Sequence, residues 1–274
     1  MAKNKLVPNI LMNAKPEKFC DTCNKGKQCR QPFPKQSFNK ATYPNERIIF
    51  DLLVLNKRCI HNHKYVLGGV DDYSSYDSAY MLSNKSDSAE YIKSHIIKMK
   101  NLVGTPVSIV RFDRGGEFIS NDLQQWLTRK GIKIEYTVAN SSQQIGKRER
   151  LWRTNMNMTR CLLYQSSLPK NLWCFAYNHA INIRNRIIGS HRNDKSPLTK
   201  MFNIKPNLVG LNIFGCPISV KENDCKKLDF RSYDMIFIGH SKESKGVICY
   251  NPVEKSILIR RDVIYDEQSI IKSI

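Results

Sequence analysis

Long apolar runs are missing from this chain of 274 residues, and so is an even set of cysteines at disulfide-like spacings. No apolar run approaches the roughly 18 residues that a membrane-spanning helix needs, and no signal-peptide-like segment follows Met-Ala-Lys-Asn-Lys at the start. We therefore expect no membrane partner and a soluble, intracellular protein. The nine cysteines are scattered and odd in number, which argues against the disulfide framework of a secreted protein.

Acidic residues are also few, so the charge balance is strongly positive. The chain has 44 Lys and Arg against 24 Asp and Glu, which gives a net charge of +20 and a pI near 9.6. Such an excess predicts a polyanionic partner, most naturally nucleic acid. It is concentrated in residues 1–40, with nine basic and two acidic residues, and around Glu149, which is flanked by Lys147, Arg148, Arg150 and Arg153.

The order of predicted strands and helices indicates the fold class. Apolar runs separated by turn residues predict a three-stranded meander at about 47–55, 65–70 and 79–82. Helices are then predicted at about 88–102, 120–130, 143–165 and 171–188, with strands at 107–112 and 132–137. This order is typical of an α/β fold with a ribonuclease H-like mixed five-stranded sheet flanked by helices.

Composition divides the chain into four stretches. Residues 1–45 are a basic N-terminal segment with a C-x-x-C pair, and residues 46–190 hold the α/β core. Residues 191–210 are expected to be a connector. Residues 211–270 are predicted to form a small β-barrel-like module, from short runs at 213–214, 217–220, 235–239, 246–250 and 256–259.

Three acids stand in contexts that suit phosphoryl transfer. Asp51 lies in an apolar strand, Asp113 follows another strand, and Glu149 lies in a predicted helix after a gap of 35 residues from Asp113. Two divalent cations held by such acids can activate an oxygen nucleophile and stabilise the leaving oxygen of a phosphodiester, and Mg²⁺ prefers carboxylate ligands. Helical spacing puts Glu149 on the stripe expected to face the sheet, together with Ile145, Trp152, Met156, Thr159 and Leu163.

The flanking motifs resemble one family. Phe112-Asp113-Arg114-Gly115-Gly116-Glu117-Phe118 and Gln143-Gln144-Ile145-Gly146-Lys147-Arg148-Glu149-Arg150 resemble the integrase of copia-type long-terminal-repeat retrotransposons, a D,D(35)E enzyme. Cys20-Asp21-Thr22-Cys23 is similar to the end of the family's zinc-binding segment, and Phe214-Gly215-Cys216-Pro217 is similar to its C-terminal module. The resemblance covers residues 18 to 267, within the Pol polyprotein.

This resemblance implies a function for the core at 46–190. Asp51, Asp113 and Glu149 would be the catalytic residues and the ligands of Mg²⁺ or Mn²⁺, used to cleave retrotransposon DNA ends and transfer them into target DNA. The basic side chains around Glu149 would contact DNA phosphates. The family also implies a multimer that acts in the nucleus.

The chain departs from the family in its zinc-binding segment. The usual His residues ahead of Cys20 and Cys23 are missing, because the first His of the chain is His61. We expect a residual half-site for Zn²⁺, although Cys29, His61 or His63 could complete a makeshift set. With neither protease nor reverse transcriptase on the chain, we expect a fragment of a polyprotein.

Two other functions fit the same residues. The main alternative is a catalytically inactive or domesticated nucleic-acid-binding or interaction remnant of an integrase, and a metal-dependent nuclease is the third. His179 is expected in the core. Five further cysteines are expected to pack as small hydrophobic side chains: Cys161, Cys174, Cys216, Cys225 and Cys249.

Overall fold

The structure is a computed structural model that describes residues 40–113, 120–136, 146–188, 195–222, 226–241 and 244–271, without the side chains of residues 146, 147 and 271. The cysteine pair Cys20 and Cys23, together with Cys29, lies outside the described residues, so the predicted zinc half-site stays a prediction.

The first sheet has the predicted mixed topology. Its five strands are β1 (Arg47–Val54), β2 (Tyr65–Asp71), β3 (Asp77–Leu82), β4 (Ile109–Phe112) and β5 (Lys133–Tyr136). They are ordered β3-β2-β1-β4-β5, with β1, β2 and β3 antiparallel and β4 and β5 parallel to β1. The predicted α/β fold is therefore confirmed.

Helices cover this sheet. They are α1 (Ser88–Val103), α2 (Asn121–Arg129), α3 (Gly146–Gln165) and α4 (Trp173–Arg186). Helix α1 ends where Gly104 takes the left-handed conformation, at φ 82°, and the Ser120 hydroxyl caps α2 by accepting the Leu123 N–H. Within the described ranges, no helix combines the length and apolarity needed to cross a bilayer.

The second sheet is antiparallel throughout. Its strands are β6 (Pro217–Lys221), β7 (Ser232–His240), β8 (Val247–Asn251), β9 (Ser256–Arg260) and β10 (Val263–Tyr265), in the order β10-β6-β7-β8-β9. The predicted strand at 213–214 is wrong, because these residues lead into a turn at Gly215, whose φ is 82°. Strand β10 and the terminal helix α6 (Glu267–Ile271) were not predicted.

The expected connector also contains a helix. Helix α5 (Pro197–Phe202) begins with Pro in its first turn, and the Ser196 hydroxyl accepts the Thr199 N–H. A proline is compatible with a first helical turn because its missing N–H would have had no partner there. The expectation of a connector at 191–210 did not take account of this capping pattern.

Apolar side chains join helix α4 to the second sheet. Leu168, Leu172 and Ala176 share a buried cluster with Phe214 and Ile238. The His179 ring lies against Phe214 and Phe237, with ring centroids 5.5 and 5.9 Å away. Burial, together with the charge of His240, lowers the pKa of His179 to about 4, so this residue is a neutral core histidine, as predicted.

Three of the five cysteines expected in the core are buried: Cys174, Cys216 and Cys249. Cys161 is exposed on the outer face of α3, so its predicted packing is wrong. Cys225 lies outside the described residues.

Candidate active site

Asp51 lies in the middle of β1, the central strand of the first sheet. Its carboxylate is half-buried and accepts two hydrogen bonds, one from the Leu52 N–H at 2.8 Å and one from the Trp152 indole N–H at 2.6 Å. Burial raises the pKa of Asp51 and the negative charge of Asp113 raises it further, while the Trp152 hydrogen bond and the Arg148 charge oppose the rise. Asp51 is therefore short of compensating positive charge.

Asp113 follows directly after β4, beside Asp51. Strand β4 is parallel to β1 and pairs Ile49 with Arg111, so the same register carried two residues further brings Asp113 level with Asp51. Both carboxylates are half-buried, and the negative charge of Asp113 contributes to the raised pKa of Asp51. The structure thus brings together two of the three predicted catalytic acids.

Glu149 does not join this pair. It lies in the first turn of α3 and is exposed, whereas the residues of α3 that face the sheet are Arg148, Leu151, Trp152, Asn155 and Thr159. Within the described residues, which include all three acids, no three His, Cys, Asp or Glu side chains are grouped to hold a metal ion. The predicted stripe was right for Trp152 and Thr159 and wrong for Glu149, which is one position away from it.

Arg148 takes the place on the buried face that was expected for Glu149. Its side chain is completely buried and forms an ion pair with Asp77 of β3, while its guanidinium lies over the Trp152 ring, 4.2 Å from the centroid. Room for the guanidinium exists because Gly68 of β2 has no side chain; a Cβ there would overlap it. The expectation that Arg148 contacts DNA is therefore wrong: a buried guanidinium cannot reach a phosphate.

A polar network surrounds Asp77. Asp77 Oδ2 accepts hydrogen bonds from the Asn155 amide at 2.8 Å and from Arg184 at 3.3 Å, and Arg184 also donates to Asn155 at 2.9 Å. The Asp77 backbone N–H donates to the side chain of Asn185 at 3.0 Å. Two buried arginines therefore share one aspartate, which leaves net positive charge beneath the sheet.

Part of this positive charge acts on the candidate site. Burial by itself disfavours the charged form of Arg148, yet Asp77 and, more weakly, Asp51 raise its pKa. Arg148 in turn lowers the pKa of Asp51. The guanidinium is thus an internal counter-charge for Asp51, paired directly with a different carboxylate.

Two of the other predicted DNA contacts lie on the outer face of α3. Arg150 and Arg153 are exposed, while the side chain of Lys147 is outside the described residues. Their interpretation as phosphate contacts stays a prediction. His63 lies beside Cys59, with Nδ1 3.6 Å from the sulfur, and not in a described zinc site.

Sequence reasoning missed Trp152 as a partner of Asp51 and Asp77 as the centre of the buried network. One signal was available: Arg148, Trp152, Asn155 and Thr159 recur at steps of four, three and four, which is helical spacing. Three polar side chains on one helical face indicate a polar interior, but the Asp77 carboxylate that Arg148 and Asn155 contact comes from a distant strand.

The donor chemistry fits a divalent cation only in part. Asp51 and Asp113 offer hard oxygen ligands, and their mutual repulsion is what a cation would relieve. Both oxygens of Asp51 already accept hydrogen bonds, and Glu149 does not complete the set in this structure. Two carboxylates fit such an ion, and the third would have to come from an exposed helix turn.

Comparisons with known proteins agree with the two-sheet architecture. Residues 41–142 match the family model described as Integrase core domain, and residues 216–273 match that of the Retroviral polymerase SH3-like domain. The cryo-EM structure of a simian T-cell lymphotropic virus intasome in complex with PP2A regulatory subunit B56 gamma is similar in fold, with a TM-score of 0.54 at 16% identity over 88% of this chain and 84% of that one.

Curated plant proteins are similar over most of the chain. The retrovirus-related Pol polyprotein from transposon TNT 1-94 of Nicotiana tabacum is 28% identical over 261 residues, which cover 92% of this chain and 19% of that protein. The Pol polyprotein from transposon RE1 of Arabidopsis thaliana is 28% identical over 254 residues, or 90% of this chain and 17% of that protein. The chain spans about a fifth of the length of these relatives.

Proposed function

From a chain that carries an integrase core domain followed by a retroviral polymerase SH3-like domain and whose homologues are Pol polyproteins of plant transposons, we propose a function in retrotransposon DNA integration. The proposed reaction is the divalent-cation-dependent cleavage of retrotransposon DNA ends and their transfer into target DNA. Mg²⁺ or Mn²⁺ is the proposed ion.

The observation that carries the proposal is the level placement of Asp51 and Asp113 on adjacent parallel strands within the integrase core match. These two carboxylates would hold the cation, and Glu149 is the proposed third ligand. A bound divalent cation supplies an activated oxygen nucleophile and a stabilised leaving oxygen at the phosphodiester. In the structure, the Asp51 carboxylate accepts hydrogen bonds from the Trp152 and Leu52 N–H groups.

DNA itself would be held by positive charge rather than by base recognition. Arg150 and Arg153 are exposed on α3, on the turns that also carry Glu149. They are the proposed phosphate contacts beside the scissile bond, since phosphate contacts position a duplex without reading its sequence. The net charge of +20 supports a polyanionic partner.

A cleavage and strand-transfer assay with labelled duplex ends tests this function. Asp51→Asn, Asp113→Asn and Glu149→Gln should each remove Mg²⁺- or Mn²⁺-dependent product while duplex binding persists, because each removes a ligand charge but no phosphate contact. Asp122→Asn, an exposed aspartate on α2, is the matched control and should stay active. An equal loss of product with the control variant would mean that the loss comes from the protein preparation and not from the site.

A second candidate function is DNA binding without turnover. It is favoured by the contact between Trp152 and Asp51, which occupies one carboxylate oxygen, and by the exposed position of Glu149, which leaves it apart from Asp51 and Asp113. In this case, the unmodified chain binds the duplex in a salt-dependent manner without cleaving it, and the carboxylate variants do the same. The same assay therefore separates the two functions.

Assembly and location belong to the same proposal. Joining two DNA ends to a target requires more than one active site in register, so we propose a homo-oligomer on DNA and action in the nucleus. Light scattering with and without duplex ends tests the first, and fluorescence imaging of the tagged chain tests the second. A monomer on DNA or exclusion from the nucleus would overturn the respective statement.

A further inference from the structure

Two thiols and an imidazole meet on the side of the first sheet that packs against α4. Cys59 lies in the connection between β1 and β2, and Cys174 is the second residue of α4. The two side chains are buried in one cluster as free thiols, and each shifts the pKa of the other. His63 Nδ1 lies 3.6 Å from the Cys59 sulfur.

Backbone hydrogen bonds hold this cluster together. The Cys59 N–H donates to the His63 carbonyl at 2.9 Å, and the Ile60 N–H donates to the Asn171 carbonyl at 2.8 Å. The Trp173 indole donates to the Lys57 carbonyl at 3.0 Å. The connection carrying Cys59 is thus fixed on the start of α4, where Cys174 lies.

The chemical environment differs from that of the other buried cysteines. The neighbouring Cys174 thiol lowers the pKa of Cys59 to about 5 despite burial, with further help from His63, and the pKa of Cys174 is raised. Burial raises the pKa of Cys216 to about 12 and that of Cys249 to about 11. Because the thiolate is the nucleophile, Cys59 has the character of a reactive cysteine with a second thiol beside it.

We propose that Cys59 and Cys174 are a redox-active dithiol that hydrogen peroxide converts into an intrachain disulfide. The Cys59 proton passes to His63, the thiolate sulfur bonds to one peroxide oxygen, and the O–O bond breaks. The other oxygen leaves as water after taking a proton. The Cys174 sulfur then displaces the hydroxyl of the Cys59 sulfenic acid as a second water and forms the S–S bond.

The reaction is balanced: two thiols and one peroxide give one disulfide and two waters, with both sulfurs oxidised and both peroxide oxygens reduced. The new bond would tie the β1–β2 connection to α4, within the cluster that also contains Trp152, the partner of Asp51. The proposal does not depend on the integration function.

Peptide mapping of the full chain tests the proposal. The reduced protein is treated with hydrogen peroxide, quenched with N-ethylmaleimide and digested without reductant. We expect about tenfold more of the peptide pair linked through Cys59 and Cys174 than of any peptide pair linked through Cys216 or Cys249. Dithiothreitol should remove the link. Because the disulfide closes a long loop, it should raise the Tm by roughly 5 to 10 °C.

Two variants sharpen the result. In Cys174→Ser the disulfide cannot form, so a sulfenic acid on Cys59 should be captured by dimedone. His63→Gln should slow formation of the disulfide several-fold without preventing it. The proposal is overturned if Cys59 of the native protein forms a disulfide no faster than Cys216 does, or if the exposed Cys161 is the only cysteine that reacts.

Discussion

Asp51 and Asp77 are aspartates on strands of the same sheet, and their surroundings differ sharply. Asp77 is buried and has Arg148, Arg184 and Asn155 around its carboxylate. Asp51 is half-buried, has an indole N–H and a backbone N–H as donors, and lies beside the like charge of Asp113. The protein thus pairs the Asp77 carboxylate directly with positive charge, whereas positive charge acts on the Asp51 carboxylate only indirectly.

This difference separates a structural carboxylate from a candidate ligand. A fully paired buried aspartate holds three elements together but has no capacity left for a cation. A carboxylate that is short of compensating charge is energetically unfavourable in the folded protein and is suited to receive an ion. Four substitutions test how far the two sites differ.

Asp77→Asn should have the largest effect. It leaves two buried guanidinium groups without their shared counter-charge, and breaking a buried pair in this way costs about 3–5 kcal/mol of the free energy of unfolding. Urea denaturation measures the loss. Asp122→Asn is the matched control, since this exposed aspartate pairs with Lys93 at the surface and its loss should change stability little. Equal midpoints for both variants would refute the central role of Asp77.

Arg148→Met should have a smaller effect, since Met keeps most of the volume and Arg184 still pairs with Asp77. A loss of about 1–3 kcal/mol is expected from the broken charge-assisted hydrogen bond. The pKa of Asp51 should rise, because Arg148 lowers it in the native protein. NMR titration of the Asp51 carboxyl measures this.

Arg150→Met is the control for Arg148→Met. The two positions are adjacent, but Arg150 is exposed. Its replacement should leave stability and the Asp51 titration unchanged and instead reduce the salt dependence of duplex binding by about one unit of slope. A change in Asp51 with Arg150→Met would show that surface charge, rather than the buried guanidinium, acts on the site.

Trp152→Phe removes the indole donor to Asp51 and keeps an aromatic ring beneath Arg148. We expect a loss of about 1 kcal/mol, a further rise in the pKa of Asp51, and tighter Mn²⁺ binding by calorimetry, because one carboxylate oxygen is released. Trp173→Phe also loses an indole hydrogen bond, to Lys57, and serves as the control. Weaker Mn²⁺ binding in Trp152→Phe alone would mean that the indole positions the carboxylate for the ion.

Asp51→Asn should give the smallest change, and of the opposite sign. The folded-state pKa of Asp51 is raised, so the native state holds its proton more tightly than the unfolded state, and ionisation destabilises the fold as pH rises. Asn should therefore stabilise the protein at pH 7, and the gain should vanish below the ordinary value of 3.8. Urea midpoints from pH 3 to 8 measure this, and a gain independent of pH would contradict the assignment.

The strand order and the pair of aspartates were predictable from the sequence for local reasons. Apolar runs and turn residues define β1 to β5, and parallel strands put Asp51 and Asp113 at the same level. Both inferences need only periodicity and the short connections between elements.

The rest depended on contacts between distant parts of the chain. Whether Arg148 or Glu149 faces the sheet differs by one helical position, and the choice depends on the space above Gly68 and the charge of Asp77. The indole contact between Trp152 and Asp51 joins residues 101 positions apart. Helical spacing alone contains neither fact.

The space above Gly68 has a consequence for the order in which sequence changes can accumulate in this lineage. A side chain at position 68 would overlap the Arg148 guanidinium, so an arginine at 148 can be buried in this conformation against Asp77 only in a chain that has glycine at 68. Gly68→Ala should be severe with Arg148 present and mild with alanine at 148. The two positions therefore diverge together, and the buried arginine makes this glycine difficult to lose.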